Sequence, residues 1–328
     1  MIAIESVSRR FGDTLAVDDV SLTVEAGSVT VLVGTSGSGK STLLRMINRL
    51  IPPTAGTIRI DGRDTAAIPG EALRRGIGYV IQGYGLFPHW TVARNIATVP
   101  RLMGWDAARI ARRVDDLLEL FGLDPALYAG KFPHELSGGQ QQRVGVARAL
   151  AAEPKLLLMD EPFGALDPVI RAKAQDDLAA LQRRLGITVV LVTHDMAEAI
   201  RLGDRIGVMD GGRLLQYAPP AELLSRPAPG FAERLLGGSD RPYQLLSLQT
   251  VGDVLQAGEA DAGRVGGEGG GGDVDPGVAP ITRHTNLRDA LAALLWRRAD
   301  SLPVVGADGA PRGRIALAEV LRRAGPPA

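Results

Sequence analysis

The segment at residues 34–41 reads Gly-Thr-Ser-Gly-Ser-Gly-Lys-Ser and directly follows an apolar run at residues 29–33. Its glycines allow the backbone to curl so that successive N–H groups face one anion. The Lys40 ammonium is spaced to reach the β- and γ-phosphates of a nucleotide, and the Ser41 hydroxyl is spaced to bind Mg²⁺. Helix-like apolar spacing at residues 41–47 would point a positive dipole end at those phosphates. The pattern predicts a strand, a phosphate-binding loop and a helix.

The predicted ligand of this loop is a nucleoside triphosphate with Mg²⁺. An ordinary glycine-rich turn is the alternative, but a chance match to the whole pattern is rare, at about one in a hundred chains or less. The residues expected to contact the nucleotide are Gly34, Thr35, Ser36, Gly37, Ser38, Gly39, Lys40, Ser41 and Thr42.

Two carboxylates follow a second apolar run. Residues 156–159 read Leu-Leu-Leu-Met, and Asp160 and Glu161 come next. A buried parallel strand that ends in carboxylates brings them to the sheet edge where a nucleotide binds. We expect Asp160 to hold Mg²⁺ through water, and Glu161 to orient or deprotonate the water that attacks the γ-phosphate. Taken without the phosphate loop, the pair could equally cap the next turn.

Hydrophobic patterning indicates the elements that must position these residues. Short β-like runs, bounded by turn signals, occur at residues 2–7, 20–24, 29–33 and 57–60. Helical spacing covers residues 90–150 and 169–185. Continuous apolar runs, typical of parallel strands buried on both faces, lie at residues 156–159 and 188–192. The order of these patterns predicts a parallel α/β core with a helical insertion.

Bulk composition restricts the class of protein. The chain has 328 residues, 45% of them hydrophobic, which is typical of a globular protein with more than one domain. Lys+Arg 37 balances Asp+Glu 37, so the broad positive field of a dedicated nucleic-acid binder is absent. Zero cysteines exclude disulfides and thiolate metal sites. Without an apolar run of about 18 residues or a signal-peptide layout at the start, the chain is expected to remain in the cytosol.

The composition changes after about residue 236. Residues 257–277 are rich in Gly, with Asp and Glu, and such a segment buries too little apolar surface to order itself. We interpret it as a flexible linker. Beyond it, the patterns predict a helix at residues 286–295, a short strand at 302–305 and a last helix at 318–323. A small accessory unit therefore closes the chain.

Residues 136–143 read Leu-Ser-Gly-Gly-Gln-Gln-Gln-Arg, and here the chain resembles the ATP-binding cassette (ABC) ATPases, whose family signature this segment matches. At the start of a predicted helix at residues 141–150, the segment would offer a hydroxyl and free N–H groups to an anion. One chain cannot apply this site and the phosphate loop to the same nucleotide. The resemblance implies a head-to-tail dimer with two ATP molecules, each between the loop of one subunit and the signature of the other. The signature residues are Ser137, Gly138, Gly139 and Gln140; an ordinary cap and turn is the alternative.

Other positions match the same family one by one. Gln82 resembles the glutamine that senses Mg²⁺ and the γ-phosphate, and His194 resembles the switch histidine that contacts the γ-phosphate. Asp167 lies in an Ala-Leu-Asp segment that resembles the loop touching the opposite subunit. Phe11 resembles the aromatic residue that stacks on adenine, where tyrosine is more usual. The alternatives are a polar strand end for Gln82, a structural role for His194 and core packing for Phe11.

The resemblance implies a fold class and a set of roles. The fold is α/β, a RecA-like P-loop NTPase core with an antiparallel β subdomain and a helical subdomain at about residues 88–150. The cofactors are ATP and Mg²⁺. The expected catalytic residues are Lys40, Gln82, Glu161 and His194, and the expected metal ligands are Ser41, Gln82 and Asp160.

The same resemblance divides the chain into regions. Residues 1–236 would form the ATPase domain. The tail resembles a truncated regulatory domain of the cystathionine-β-synthase (CBS) type, small and of α+β class. Residues 237–280 would then hold a partial remnant of this domain and the linker, and residues 281–328 would form the regulatory tail.

The chain has one cassette and only a short insertion between the phosphate loop and the signature. Soluble relatives that act on nucleic acid or ribosomes often have two cassettes or a long coiled-coil insertion there, so the resemblance favours a membrane transporter. In importers of this family, a permease helix docks after the glutamine, where Leu86, Phe87 and Trp90 would either line the groove or pack in the core. Residues 77–82, 85–89 and 97–100 resemble the subunits that power uptake of glycine betaine, choline and related osmoprotectants. Gly83-Tyr84 departs from their commonest pattern.

The implied partners are a second ABC subunit in a homodimer, transmembrane permease subunits and, indirectly, an extracytoplasmic solute-binding protein, with no nucleic acid. The implied location is peripheral, on the cytoplasmic face of the inner membrane. Two alternatives stay open: an importer for another solute, such as an amino acid, and a soluble ABC ATPase acting on nucleic acid. His89, His134 and His284 lack metal-ligand spacing and are interpreted as solvated or capping residues.

Overall fold

A computed structural model of the chain describes residues 1–83, 85–235, 240–258 and 280–325. The chain divides into two compact units, Met1–Pro219 and Pro220–Ala328. The domain boundary predicted at residue 236, residues 259–277 of the predicted linker and Tyr84 lie outside the described residues.

The strands of the first unit form two sheets. In chain order they are β1 (Ile2–Phe11), β2 (Thr14–Val24), β3 (Val29–Val33), β4 (Ala55–Ile60), β5 (Arg63–Asp64), β6 (Ile77–Val80), β7 (Leu156–Asp160), β8 (Thr188–Thr193), β9 (Arg205–Asp210) and β10 (Arg213–Ala218). The core sheet has the order β10-β9-β3-β8-β7-β6 and is parallel except for the edge strand β10. The second sheet is antiparallel, with the order β2-β1-β4-β5.

The central strands β3, β7 and β8 are buried along their whole length. This explains their unbroken apolar sequences, because a parallel sheet in this class is covered on both faces. All three strands run in the same direction, so the residues that follow them meet at one edge of the sheet. The phosphate loop follows β3, Glu161 follows β7 and His194 follows β8.

The helices of the first unit are α1 (Lys40–Ile47), α2 (Gly70–Arg75), α3 (Val92–Ile96), α4 (Thr98–Leu102), α5 (Ala107–Leu120), α6 (Pro125–Tyr128), α7 (Gly138–Leu150), α8 (Pro168–Leu185) and α9 (Met196–Leu202). Helices α3 to α7 lie between β6 and β7 in the chain and form the helical insertion. Helix α5 is amphipathic, because Ile110, Val114, Leu117 and Leu118 are buried along one face.

Helix α1 anchors the phosphate loop to the core. Its Leu43, Leu44 and Met46 are fully buried in one hydrophobic cluster with residues of both sheets. Full burial of such a side chain is worth about 1.5–3 kcal/mol. The start of α1 is therefore held firmly at the carboxyl edge of the core sheet, which is where a phosphate-binding helix must begin.

The second unit is a small α+β structure with its own core. Its elements are α10 (Pro220–Ser225), α11 (Phe231–Leu235), α12 (Arg241–Ser247), α13 (Val251–Gly258), α14 (Leu287–Trp296), β11 (Ser301–Val305), β12 (Pro311–Ala316) and α15 (Leu317–Arg323). Strands β11 and β12 form an antiparallel hairpin. Leu246, Leu287 and Val304 are among the residues buried in its apolar cluster. The likeness to a CBS domain stays a prediction.

The predicted fold class is confirmed, since a parallel α/β core carries an antiparallel sheet and a helical insertion. One boundary differs in a way that matters for the site. The helix after the signature was expected from residue 141, but α7 begins at Gly138. The reason is a capping box, in which Ser137 and Gln140 satisfy each other's backbone N–H groups and so start the helix early. The two glycines of the signature therefore lie in the first turn of α7.

Candidate functional site

The phosphate loop closes around its lysine. Lys40 is 4% exposed, and its Nζ donates hydrogen bonds to Gly34 O at 2.8 Å, Thr35 O at 2.7 Å and Ser38 Oγ at 3.2 Å. Burial lowers the pKa of Lys40, and the carboxylates of Glu161 and Asp160 oppose that effect. A buried ammonium at the start of α1 is a strong anchor for phosphate oxygens.

A glycine is required where the loop enters α1. Gly39 caps the helix with φ +97°, in the left-handed region. A Cβ at this position would lie 2.4 Å from the carbonyl oxygen of Ala16 on β2. The loop is therefore pressed against the antiparallel sheet, and a side chain at residue 39 would push it out of place.

Two oxygen groups stand side by side beneath the loop. Ser41 Oγ donates a hydrogen bond to Asp160 Oδ1 at 2.7 Å, and Arg45 Nη2 lies 3.4 Å from Asp160 Oδ2. Asp160 is 2% exposed, so its charge is held by these two partners. A hydroxyl and a carboxylate are the hard oxygen ligands that Mg²⁺ takes in nucleotide sites. Two of the three predicted metal ligands, Ser41 and Asp160, are thus adjacent and fit the ion chemically.

Glu161 is the point where three elements converge. Gln82 Nε2, after β6, donates a hydrogen bond to Glu161 Oε2 at 3.4 Å, and His194 Nδ1, after β8, lies 3.4 Å from the same oxygen. Glu161 adopts φ +46°, although it is not a glycine. Such left-handed residues cost energy and occur where the surrounding structure requires them, often at functional sites. The fold brings Gln82, Glu161 and His194 together as the sequence predicted.

The loop carrying His194 is held by its neighbours. Asp195 caps α9 by accepting hydrogen bonds from the N–H groups of Ala197 and Glu198. Arg171 on α8 lies 3.8 Å from Asp195. The His194 side chain itself is 62% exposed, so the loop presents the imidazole to solvent on a fixed backbone.

The signature is a capped helix start. Ser137 Oγ accepts a hydrogen bond from Gln140 N at 3.4 Å, and Gln140 Oε1 accepts one from Ser137 N at 2.9 Å. This is a capping box, which satisfies two helix N–H groups reciprocally. Gln140 Nε2 also donates to the hydroxyl of Tyr128 at 3.1 Å. The N–H groups of Gly138 and Gly139 remain in the first turn, where they suit an anion.

Asp167 occupies a cap position as well. Its Oδ1 accepts hydrogen bonds from Val169 N at 3.2 Å and Ile170 N at 3.0 Å at the start of α8. The Ile170 side chain covers the signature, since a Cβ added to Gly139 would lie 2.8 Å from Ile170 Cγ2. Gly139 is therefore required for the close approach of α8 to α7.

The two predicted phosphate sites remain separate. Among the described residues, no hydrogen bond or ion pair links Ser137, Gly138, Gly139 or Gln140 with residues 34–41. The loop, Ser41, Asp160, Glu161, Gln82 and His194 form one cluster, and the signature forms another.

Comparisons with known proteins identify the family of this chain. The family described as ABC transporter matches residues 17–164. The glycine betaine uptake system ATP-binding protein YehX of Escherichia coli K12 is 47% identical, and the match covers 98% of this chain and 99% of the relative. The chain belongs to the ABC transporter family. It is an ABC ATPase, and it binds ATP.

Two further similarities support the assignment to this family. The osmoprotectant import ATP-binding protein OsmV of Salmonella typhimurium LT2 is 49% identical over 77% of this chain and 68% of the relative. A solved dimeric ATP-binding cassette, in a post-hydrolysis state with ADP and Pi bound, is 33% identical with a TM-score of 0.61, covering 67% of this chain and 99% of that one.

In this ABC ATPase the predicted adenine-stacking residue is not part of the core. Phe11 is 43% exposed, so the core-packing alternative is wrong. The guanidinium carbon of Arg9 lies 4.4 Å from the centre of the Phe11 ring, within the range of a cation–π contact. One face of the ring is therefore occupied by Arg9.

The predicted docking residues of the ABC ATPase form an aromatic cluster. Phe87 is 39% exposed, and Leu86 and Trp90 are partly buried. The Phe87 and Trp90 rings are 4.3 Å apart, and the Arg94 guanidinium lies 4.4 Å from the Trp90 ring. Buried Asn95 holds this segment by accepting from Phe87 N and donating to Phe87 O. None of the three is fully buried, and their role in docking stays a prediction.

Within the part of the chain that the structure describes, no helix is long and apolar enough to cross a membrane. The same residues contain no cluster of His, Cys, Asp and Glu that could hold a metal ion by itself. The His89 ring meets the Phe87 ring edge-on, with 6.4 Å between their centres, and the His134 ring stacks on the Phe132 ring at 5.8 Å.

Sequence reasoning missed several residues of the ABC ATPase site. Arg45 contacts Asp160 from one helical turn beyond Ser41, a spacing that places both on one face of α1. A hydrogen bond to Tyr79 raises the pKa of Arg45, and Asp160 adds to the effect. Glu198, one turn into α9 beyond His194, is buried behind the site. Helical spacing could have indicated Arg45, but the burial of Glu198 depends on packing against α8.

Proposed function

We propose that this chain powers the import of an osmoprotectant by hydrolysing ATP, with Glu161 as the group that activates the attacking water. The observation that carries the proposal is the convergence of Gln82 and His194 on one oxygen of Glu161, each at 3.4 Å. A carboxylate beside the phosphate loop suits a base for this reaction, and a histidine and an amide would orient it. Lys40 would neutralise the β- and γ-phosphates.

Ser41, Asp160 and Gln82 would hold Mg²⁺ when ATP is bound, and the ion would neutralise charge on the phosphate oxygens. Ser41 and Asp160 are already adjacent, with 2.7 Å between Oγ and Oδ1. Gln82 is exposed and contacts Glu161. It would therefore link the metal to the residues that position the water.

The signature would complete the site of a second subunit. Ser137 to Gln140 begin α7 with capped ends and free glycine N–H groups, which suits a phosphate. Among the described residues, no hydrogen bond joins this cluster to the phosphate loop, which is compatible with a site shared between two copies. We propose a head-to-tail homodimer with two ATP molecules, and the solved dimeric cassette that resembles this chain supports this assembly.

The transported solute is proposed from the relatives. A glycine betaine uptake protein is similar along 98% of this chain, and an osmoprotectant import protein along 77% of it. These names favour glycine betaine, choline or a related quaternary amine over an amino acid or a role on nucleic acid. The chain would act with transmembrane permease subunits and, indirectly, with an extracytoplasmic solute-binding protein. It would lie on the cytoplasmic face of the inner membrane, with Phe87 and Trp90 at the permease.

The catalytic part of the proposal is tested with Glu161→Gln. This variant keeps the shape of the side chain but removes the base, so ATP should bind while turnover falls by about 10³-fold or more. The variant should also form a stable dimer with ATP, as measured by analytical ultracentrifugation. Hydrolysis at the wild-type rate would remove Glu161 from the proposed role.

The solute is tested by uptake in the source organism. A strain that lacks this chain should lose uptake of radiolabelled glycine betaine or choline at high osmolarity, and the wild-type chain should restore it. The Glu161→Gln chain should not restore it. Labelled sulfate serves as a control solute. Unchanged quaternary-amine uptake in the strain would contradict the assignment, whatever the ATPase measurements give.

A further inference from the structure

A small recess lies beside the proposed hydrolysis site. It has a volume of about 20 Å³. Glu161, His194, Arg171 of α8 and Glu198 of α9 are among the residues that line it. A space of about 10–15 Å³ or more is enough for one water molecule if polar groups surround it. This space meets both conditions.

Two of the wall residues carry buried polar atoms that lack a hydrogen bond. Glu198 is 5% exposed, and its Oε2 accepts a hydrogen bond from Gln175 Nε2 at 3.3 Å. Its Oε1 and Nε of Arg171 are both buried, and neither makes a hydrogen bond of normal geometry with the described residues. The Thr193 hydroxyl also lines the space and lowers the pKa of the Glu198 carboxyl. Buried polar atoms in native proteins are nearly always satisfied by protein groups or by ordered water.

The two unpaired atoms are chemically complementary through one water. The N–H of Arg171 can only donate, and Oε1 of Glu198 can accept. A water that accepts from Arg171 and donates to Glu198 would have a second hydrogen left for Glu161 or His194, which line the same space. Buried waters typically make about three hydrogen bonds of this kind.

We propose that this space holds one ordered water and that Glu198, acting through it, is a positioning residue for the Glu161–His194 pair. The proposal rests on the roles proposed above for Glu161 and His194. His194 needs such support because its side chain is 62% exposed. The water and the Arg171–Asp195 pair, at 3.8 Å, hold the His194 loop against α8.

The charge state of Glu198 is compatible with this position. Burial, with a smaller contribution from the neighbouring Asp195 carboxylate, raises the pKa of Glu198 to about 7, while Thr193, Gln175 and Arg171 oppose the shift. Glu161 and His194 line the same space. Near neutral pH both forms of Glu198 are populated, and both can hydrogen-bond a water, one as an acceptor and the other also as a donor.

The kinetic test compares Glu198→Ala with Glu198→Gln in the full-length chain. Alanine removes the contact with the water, so kcat for ATP hydrolysis should fall by about tenfold or more while KM changes less than about twofold. Glutamine keeps the shape, and its amide can accept from Gln175 and donate to the water. Its kcat should stay within about threefold of wild type.

Asp176→Ala is the matched control. Asp176 on α8 pairs with Arg201 on α9 at 2.6 Å, on the solvent side of the same two helices. This variant weakens the α8–α9 contact without touching the water, so its kcat should equal that of wild type. An equal loss in Asp176→Ala and Glu198→Ala would assign the effect to helix packing and overturn the proposal.

Two other outcomes would also overturn it. One is wild-type kcat in folded Glu198→Ala, and the other is a Glu198→Gln variant as impaired as Glu198→Ala. The Glu161→Gln variant, measured in parallel, separates this failure from that of the proposed function, since it reports on Glu161 alone.

A crystal structure of the wild-type chain tests the water without any variant. Density for a water within hydrogen-bond distance of Glu198 Oε1 and Arg171 Nε is expected at a resolution that defines ordered waters. An empty space in well-defined density would overturn the proposal, even if Glu198→Ala proved too unstable to purify.

Discussion

At the scale of single residues, the site depends on groups kept in unfavourable surroundings. Lys40 is an ammonium at 4% exposure, Glu198 is a carboxyl at 5%, and Glu161 has a left-handed backbone. Each would be costly alone. Lys40 is stabilised by three oxygen atoms of its own loop, and phosphates would replace them as partners when nucleotide binds. The fold therefore holds these groups ready for charge that arrives with ATP.

The first residue-scale prediction concerns stability and pH. The pKa of Glu198 rises from 4.5 to about 7 on folding, so folding favours the protonated form. The contribution of Glu198 to the free energy of unfolding is therefore complete below pH 4.5, and it is lost as the pH rises to about 7. Glu198→Gln mimics the protonated form and should become more stable relative to wild type over this range, by up to about 3 kcal/mol.

Urea unfolding at a series of pH values measures this difference. Other titrating groups contribute equally to both proteins, so the difference between their free energies of unfolding isolates Glu198. A constant difference between pH 4 and pH 8, to within about 0.5 kcal/mol, would contradict the prediction.

The second residue-scale prediction concerns the signature glycine covered by Ile170. Gly139→Ala places a Cβ 2.8 Å from Ile170 Cγ2, so either the Ile170 side chain or one of the two helices must shift. We expect a loss of stability of about 1–3 kcal/mol, as in other overpacked sites. Adding Ile170→Ala should recover part of it in thermal unfolding, because the clashing atom is gone. Ile170→Ala alone serves as the control, and no recovery in the double variant would contradict the close approach.

At the scale of elements, each functional loop is held by a capped helix. Ser137 caps α7, Asp167 caps α8 and Asp195 caps α9. Each cap residue satisfies N–H groups that the helix itself cannot pair. Ser137 and Asp167, which the sequence predicts to contact the nucleotide, therefore also start helices, and Asp195 starts the helix that follows His194.

The element-scale prediction separates these two roles at Ser137. Ser137→Ala should lower the free energy of unfolding by about 1 kcal/mol, because it removes the cap. Ser137→Asp should keep the stability of the wild type, since aspartate is an equally good cap. Both variants should lose ATPase activity. Ser137→Ala lacks the hydroxyl proposed to contact the phosphate, and the carboxylate of Ser137→Asp would repel it. Full activity in Ser137→Asp would mean that this residue serves only to start α7.

At the scale of the whole molecule, the chain holds a phosphate loop and a signature that are not linked by any hydrogen bond among the described residues. This separation predicts complementation between two inactive chains. In a head-to-tail dimer of Lys40→Ala with Ser137→Asp, one site combines two defects and the other combines an intact loop with an intact signature. A mixture should therefore regain part of the wild-type ATPase activity.

The measurement is the ATPase rate of the mixture against each variant alone at the same total concentration. Mixing Lys40→Ala with Glu161→Gln is the control, because both residues belong to the same cluster and no intact site can form. Equal rates in all these samples would contradict a site shared between two copies.

The sequence by itself determined the chemistry and the class of fold. Each functional motif is recognisable from a short stretch of sequence: the phosphate loop at residues 34–41, the carboxylates after residue 159 and the family signature that begins near residue 137. Uninterrupted apolar strands indicated a parallel sheet covered on both faces, and the sheet was found. Local patterns suffice here because glycine loops and strand ends depend mainly on neighbouring residues.

Only the tertiary structure decided what surrounds those motifs. It placed Ile170 over Gly139, Arg9 against Phe11, and Glu198 beside Arg171 and Gln175. It also showed that α7 begins at Gly138 and not at residue 141. These contacts join residues from different helices and strands, and burial changes their charge and their hydrogen bonding. Such effects depend on which surfaces meet in the folded chain, so spacing along the sequence does not determine them.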